Sequence, residues 1–292
     1  INQIQALLKE ALSSVVFIPF AAGTMSWFEH DLYDDYWRAI NTEEQLHKID
    51  VPVYQQAAWY DPYTAAMLRM WNGLRAHGYS PRARRNQKIY VIPWTHHIPD
   101  SSRLGDLDFG PEGYVDLNRE DLRWFDYWLK EIDNGIMDEP PIRLFVMGAN
   151  MWRFEHEWPL ARTVFTPYYF HSNGHASSSS SDGTLNLDVP GSEPADHFDY
   201  DPIDPVPTLG GNNSTWTLMK FAADQVQPGP IDQRPIERRN DVLVYTSQPL
   251  DSELEVTGPI LVVLYAASSA RDTDFTAKLV DVYPDGRAIH LA

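Results

Sequence analysis

The spacing of apolar positions changes twice along this chain, and each change marks a predicted region. Up to about residue 50 the period is helical: Ile4, Leu7, Leu8, Ala11 and Leu12 form one stripe and Tyr36, Trp37 and Ile40 another, with Pro19, Gly23 and Trp27-Phe28 between them. Val51 to Asp61 is then a β-prone run that ends on a carboxylate, and Lys88 to His96 is a second that ends on an imidazole. Between them, Ala65, Leu68, Trp71 and Leu74 recur at helical spacing over Thr64 to His77. Strand, helix, strand is the unit from which parallel sheets are wound. A further helix is predicted from Asn118, as N-cap, to Lys130, with Leu122, Phe125, Trp128 and Leu129 as its buried face.

From Asp133-Asn134-Gly135 onward the pattern becomes short β-prone runs: Val164-Phe165, Tyr168 to Phe170, Phe198 to Tyr200, Val242 to Tyr245 and Ile260 to Tyr265. Gly174, Asp182-Gly183, Pro190-Gly191, Pro228-Gly229 and Thr257-Gly258-Pro259 punctuate them, so an antiparallel β-sandwich or jelly roll is predicted. The five-serine run Ser177 to Ser181 reads as a hairpin tip, and a sandwich ending at Ala292 would leave an unpaired edge.

In a parallel sheet the ligand site lies outside the carboxyl ends of the strands. Asp61 and His96 both fall there, in an order that suits the orienting acid and the general base of a Ser, Asp, His hydrolase. An isolated Asp at a strand end is equally well a surface residue; the ordered pair favours chemistry. The nucleophile should sit on a Gly-x-Ser-x-Gly elbow, and none is present. The nearest approach, Gly78-Tyr79-Ser80-Pro81-Arg82, lacks the last glycine and falls between Asp61 and His96, so Ser80 reads as a turn residue. The expected fold is therefore the second half of an α/β-hydrolase sheet at 51–137, preceded by helices at 1–50 that can be ordinary crossover helices of that sheet. A jelly-roll-like all-β domain, itself incomplete, is expected at 138–292. The nucleophile is expected from a missing N-terminal half, in the same or another chain, and the fragment alone should be inactive.

Composition narrows the chemistry. At 292 residues, 43% hydrophobic and 13% aromatic, the chain can bury a sizeable core. Its 41 acidic against 23 basic residues give a net charge of −18, which opposes nucleic acid and anionic membranes alike and leaves a small-molecule or peptide substrate. Without cysteine there is no disulfide, thiol nucleophile or cysteine-ligated zinc. No cofactor or metal is expected. His30, Asp31, Asp34 and Asp35 are close in sequence, but nearby acids at a solvated helix start are commoner than converging ligands. The start at Ile1 shows neither an initiator Met nor a signal peptide; a cytoplasmic location is favoured, and a homo-oligomer is one possibility.

Trp59-Tyr60-Asp61 and Pro93-Trp94-Thr95-His96 resemble the Trp-Tyr-Asp and Gly-Pro-Trp-(Ser/Thr)-His motifs of the cocaine esterase and X-prolyl dipeptidyl peptidase family of α/β-hydrolases. Arg143 to Gly148, Trp158-Pro159-Leu160, Asp201 to Gly211, Asp232 to Pro235 and Asp272 to Phe275 continue the resemblance. Ala57, Ala58, Ile92 and His97 stand where that family usually has glycine. The resemblance implies a serine hydrolase acting on esters or amides through an acyl-enzyme, and reads the helices at 1–50 as the helical cap that the family places over its active site. It selects His96 over His97 as the base, and makes Trp59, Tyr63 and Trp216, the last in a loop from Leu209 to Met219, substrate-binding. An X-prolyl dipeptidyl peptidase or α-amino-acid ester hydrolase is the alternative within the family. Outside it, a carbohydrate-binding β-protein and a two-carboxylate glycosidase are the alternatives.

Overall fold

The computed structural model describes residues 26–97, 100–177, 182–213 and 227–292. Its centre is a four-stranded sheet ordered β1 (Val53–Tyr60), β2 (Gln87–Thr95), β5 (Ile142–Val146), β6 (Met151–Glu155). The first three strands are parallel and β6 is antiparallel to β5. Helix α2 (Thr64–His77) makes the β1 to β2 crossover, as its spacing predicts, and buries Leu68, Trp71 and Leu74; Thr64 joins them where Ala65 was expected. All nine residues of β2 are buried, as befits a strand covered on both faces.

The two faces of the sheet differ. Ala57, Ile89, Val91, Ile142 and Leu144 form an apolar floor with Leu68 and Trp71 of α2. The opposite face carries Tyr54, Ala58, Tyr90, Ile92 and Trp94, packed with Val115 and Leu117. Helix α4 (Leu117–Lys130) covers it, capped by Asp116, whose side chain accepts from the Arg119 N–H at 3.2 Å, and not by Asn118. Most of the face expected to be buried is turned outward: Leu122, Phe125 and Leu129 are 61%, 53% and 74% exposed, while Trp128 is half-buried against Trp124, and Glu120 and Trp124 are buried.

Strands β5 and β6 lie in the same sheet as β1 and β2, so a boundary at 137/138 does not separate two sheets. Beyond Glu155 the described strands are short: β7 (Tyr169–His171) pairs with β8 (Thr184–Asn186) and β9 (Val280–Val282) with β10 (Ala288–His290). Leu243 and Thr246 make single bridges to Ser177 and Thr184. Ile260 to Tyr265 forms no strand, with Leu261 84% and Tyr265 97% exposed. A β-prone run becomes a strand only with a ladder partner and a surface to cover, and among the described residues this run has neither.

The first apolar stripe of the chain, Ile4 to Leu12, lies outside the described residues, as does most of the serine run. Of the expected cap, α1 (Asp35–Ile40) and the 3-10 helix Thr42–Lys48 are described. The 3-10 helix packs on α2: Leu46 lies against Gly73, and Glu43 accepts from Arg69 at 3.0 Å. His30 and Asp34 form an ion pair of 2.5 Å, and Asp34 also caps α1.

Candidate active site

The carboxyl ends of β1 and β2 are brought into line by a bulge. Partners run in step from Val53↔Gln87 to Ala58↔Ile92; the next, Tyr60↔Thr95, has two steps along β1 against three along β2. The extra residue falls around Pro93, which has no N–H to give to the ladder and is tolerated in a covered strand chiefly at such an irregularity. A one-residue slip turns side chains to the opposite face. The bulge therefore sets His96 opposite Asp61, where an uninterrupted register would have set it opposite Pro62.

Asp61 is buried, with its carboxylate divided between two donors. Oδ1 accepts from the Tyr63 N–H at 2.8 Å, closing a tight turn before α2, and Oδ2 lies 2.9 Å from Nδ1 of His96. Thr64 fixes the same turn from below, its hydroxyl donating to the carbonyls of Ala58 and Asp61. His96 is more open, with 37% of its side chain exposed against 8% for Asp61. An imidazole held through Nδ1 by a buried carboxylate directs Nε2 away from that carboxylate. This is the arrangement by which an acid orients a base.

Tyr63 joins the pair: its ring lies 5.3 Å from that of His96 at 66°, and the residue is 47% exposed. Trp59 does not. It is half-buried, its indole N–H donates to the Phe145 carbonyl at 2.7 Å, and its ring packs on Trp158. Trp216 lies outside the described residues. The described start of its loop, Leu209 to Asn213, sits against the C-terminal end of the chain: Gly211 abuts the ring of His290, and the Leu209 carbonyl accepts from Gln233 at 2.8 Å. His97 has its ring centre 6.4 Å from that of His96, and its backbone N–H donates to the Thr95 hydroxyl at 3.2 Å. Ser80 is the cap of a short helix, accepting from the Ala83 N–H at 3.1 Å, as its turn reading predicts.

Comparison with known proteins places the chain. Residues 7–97, which include Asp61 and His96, match the model of the X-Pro dipeptidyl-peptidase (S15 family), and residues 134–291 match that of the X-Pro dipeptidyl-peptidase C-terminal non-catalytic domain. The chain belongs to the CocE/NonD-like X-Pro dipeptidyl-peptidase family. Within that family it is 39% identical over 266 residues to the cocaine esterase of Rhodococcus sp. (strain MB1 Bresler), an alignment covering 90% of this chain and 44% of the esterase. A candidate serine esterase of Mycobacterium bovis is 29% identical over 266 residues, covering 88% of this chain and 36% of its own. The chain thus spans less than half the length of these relatives. The crystal structure of an aminopeptidase from the marine sediment archaeon Thaumarchaeota archaeon shares the fold, with a TM-score of 0.56 at 21% identity over 83% of this chain and 37% of that one. Among the described residues no helix is long and apolar enough to cross a membrane.

Proposed function

We propose that this chain supplies the acid and the base of a serine hydrolase that cleaves carboxylic esters or amides through an acyl-enzyme. The observation that carries this reading is the 2.9 Å contact between Asp61 and His96 at the carboxyl ends of neighbouring parallel strands. His96 Nε2 takes the proton of the nucleophilic hydroxyl as that oxygen bonds the substrate carbonyl carbon. The same proton passes to the leaving group as the tetrahedral intermediate collapses. Water then attacks the acyl-enzyme with His96 again as base, and Asp61 balances the imidazolium in both halves. The nucleophile and the oxyanion donors come from residues outside this sequence, which has no Gly-x-Ser-x-Gly. The 292-residue chain alone should therefore hydrolyse no ester. The β-prone runs at 242–245 and 260–265 would find their ladder partners in a jelly-roll-like C-terminal domain of the longer protein.

The acyl group is expected to be neutral. An α-ammonium needs a nearby carboxylate, since an unpaired cation is costly to bury. Pro62, Tyr63, Thr64 and Ala65, the residues that follow Asp61, offer none. The names of the matching family models favour a second reading, an X-prolyl dipeptidyl peptidase whose amine anchor lies outside this chain. In the longer protein, Asp61→Asn and His96→Ala should each lower kcat on the order of a thousandfold with little change in KM. Wild-type turnover in either would sink the triad reading. A phenylacetyl ester should be hydrolysed faster than a phenylglycyl ester; the reverse order would favour the peptidase.

A further inference from the structure

The two site residues leave the sheet at different strand ends, and one C-terminal unit is tied to the end of β1 on the acid side and to the loop that follows β2 on the base side. On the acid side, Tyr60 directly precedes Asp61 and has no exposed surface. Its ring packs with Phe109 and Phe145, bordered by Leu104 and Leu107, and its hydroxyl donates to the His290 carbonyl in β10 at 3.0 Å. On the base side, the chain runs on from His96 into the hairpin of β3 (Arg103–Leu104) and β4 (Leu107–Asp108). The turn of that hairpin is clasped at two points. Asp106 donates its N–H to the Pro230 carbonyl at 2.8 Å and accepts the Asp232 N–H on Oδ2 at 2.8 Å. Gly105, at φ +55, lies so close that a side chain there would meet the Pro230 carbonyl at 2.6 Å.

Pro230, Asp232 and His290 belong to a single body. Asp232 bridges Ile289, the Gln233 N–H donates to the Ala288 carbonyl at 2.7 Å, and the His290 N–H donates to the Ile231 carbonyl at 3.2 Å. The Gln233 side chain, itself buried, donates to the carbonyls of Leu209 and Ile231 and accepts from Lys278 Nζ at 2.9 Å. With its two donors and its acceptor all used, the Gln233 side chain makes these segments a rigid body, and a rigid body held to both sides of the site fixes the distance between them.

We propose that this unit, Gly229 to Gln233 with β10, positions Asp61 relative to His96, and that Tyr60 and Asp106 are its two links to the site. The inference rests on the hydrolase reading of the Asp61 and His96 pair. It gives the region matched by a non-catalytic domain model a part in catalysis: an angstrom of drift between acid and base weakens the hydrogen bond that orients the imidazole, and misplacement on that scale is costly in rate. Both links are positioning residues, since neither touches the imidazole or a reacting atom. Burial pushes the Tyr60 phenol well above its usual range, so the link keeps its donor throughout the range in which a hydrolase works.

The test uses the full-length protein with p-nitrophenyl acetate, well below the unfolding temperature of each variant. Tyr60→Phe removes one O–H and little else, and Asp106→Ala removes the acceptor of the second link. Each should lower kcat about tenfold, leave KM within about twofold, and displace the acid limb of the kcat/KM profile, which reports the essential base. A merely structural role would lower the unfolding temperature and leave kcat and that limb in place. Asp61→Asn is the control. If it cripples turnover while both link variants keep wild-type kcat and acid limb, the positioning role is overturned and the hydrolase reading stands. If Asp61→Asn itself turns over normally, the hydrolase reading fails, and this inference with it.

Discussion

Helices α2 and α4 are both fourteen residues long and cover opposite faces of one sheet, yet they obey different rules. Helix α2 buries the apolar stripe its sequence displays. Helix α4 displays a stronger stripe and turns most of it to solvent, leaving Trp128 half-buried and placing Glu120 and Trp124 against the sheet. The cause lies under each helix. Below α2 the strands present Ala57, Ile89, Val91, Ile142 and Leu144, so apolar side chains lose water at no polar cost. Below α4 the paired positions are Tyr54 with Lys88, Gln56 with Tyr90, and Tyr90 with Arg143. Tyr54, Gln56 and Arg143 need polar partners more than they need leucines, whereas Lys88 is served by the carbonyls of Ile136, Glu139 and Pro140 and the buried Tyr90 hydroxyl has no partner among the described residues. Gln56 finds Asp121; Tyr54 reaches Glu120, which also lies 3.3 Å from Arg123 and 3.6 Å from Arg143. Burial first, and then the Glu120 charge, hold the Tyr54 phenol above its usual range, so it stays a donor. An amphipathic stripe shows that one face of a helix differs from the other. The surface beneath decides which face goes down.

The contrast can be broken most sharply at Trp71, 1% exposed at the centre of the α2 contact. Trp71→Ala should cost about 3–5 kcal/mol, read as a shift in denaturation midpoint at constant slope. A loss below about 1 kcal/mol would mean that α2 is not anchored as described. Across the sheet, Glu120→Ala leaves Arg143 and Arg123 beside a vacated acceptor. The distances are long and Glu139 still pairs with Arg123, so about 2 kcal/mol is expected, less than a tightly paired buried ion would give. Stabilisation by this substitution would show that the polar face is a burden on α4 rather than its anchor.

The strand ends were legible in the sequence because a polar residue closing an apolar run has few positions to occupy. Asp61 and His96 fall together as their order implies. The bulge that aligns them was signalled by Pro93, a residue that cannot serve an unbroken ladder. The orientation of α4 was legible too, in a place the helical pattern does not look. Lys88 and Tyr90 alternate with Ile89 and Val91 along β2, and Tyr54 and Gln56 occupy the facing positions of β1, so one face of the sheet is written polar before any helix is placed on it. The link from Tyr60 to His290 had no such signal. It joins a phenol to a backbone carbonyl far along the chain, and a carbonyl leaves no trace in a sequence. The run Ile260 to Tyr265 carries the composition of a strand without the partner that would make it one, since propensity belongs to a segment and pairing to two.

The smallest effect belongs to the stripe on α4. Leu122 and Leu129 are 61% and 74% exposed, so replacing either by Gln removes little apolar area from the folded core. Gln is also nearly as good a helix former as Leu. In the chain as it stands, Leu122→Gln and Leu129→Gln should each change stability by no more than about 0.5 kcal/mol, and together by little more than their sum. Trp71→Ala on the opposite helix provides the scale in the same denaturation series. Should either Gln variant lose 2 kcal/mol or more, the leucines are buried, α4 sits on the sheet the other way up, and the polar partners assigned to Tyr54 and Gln56 must be sought elsewhere.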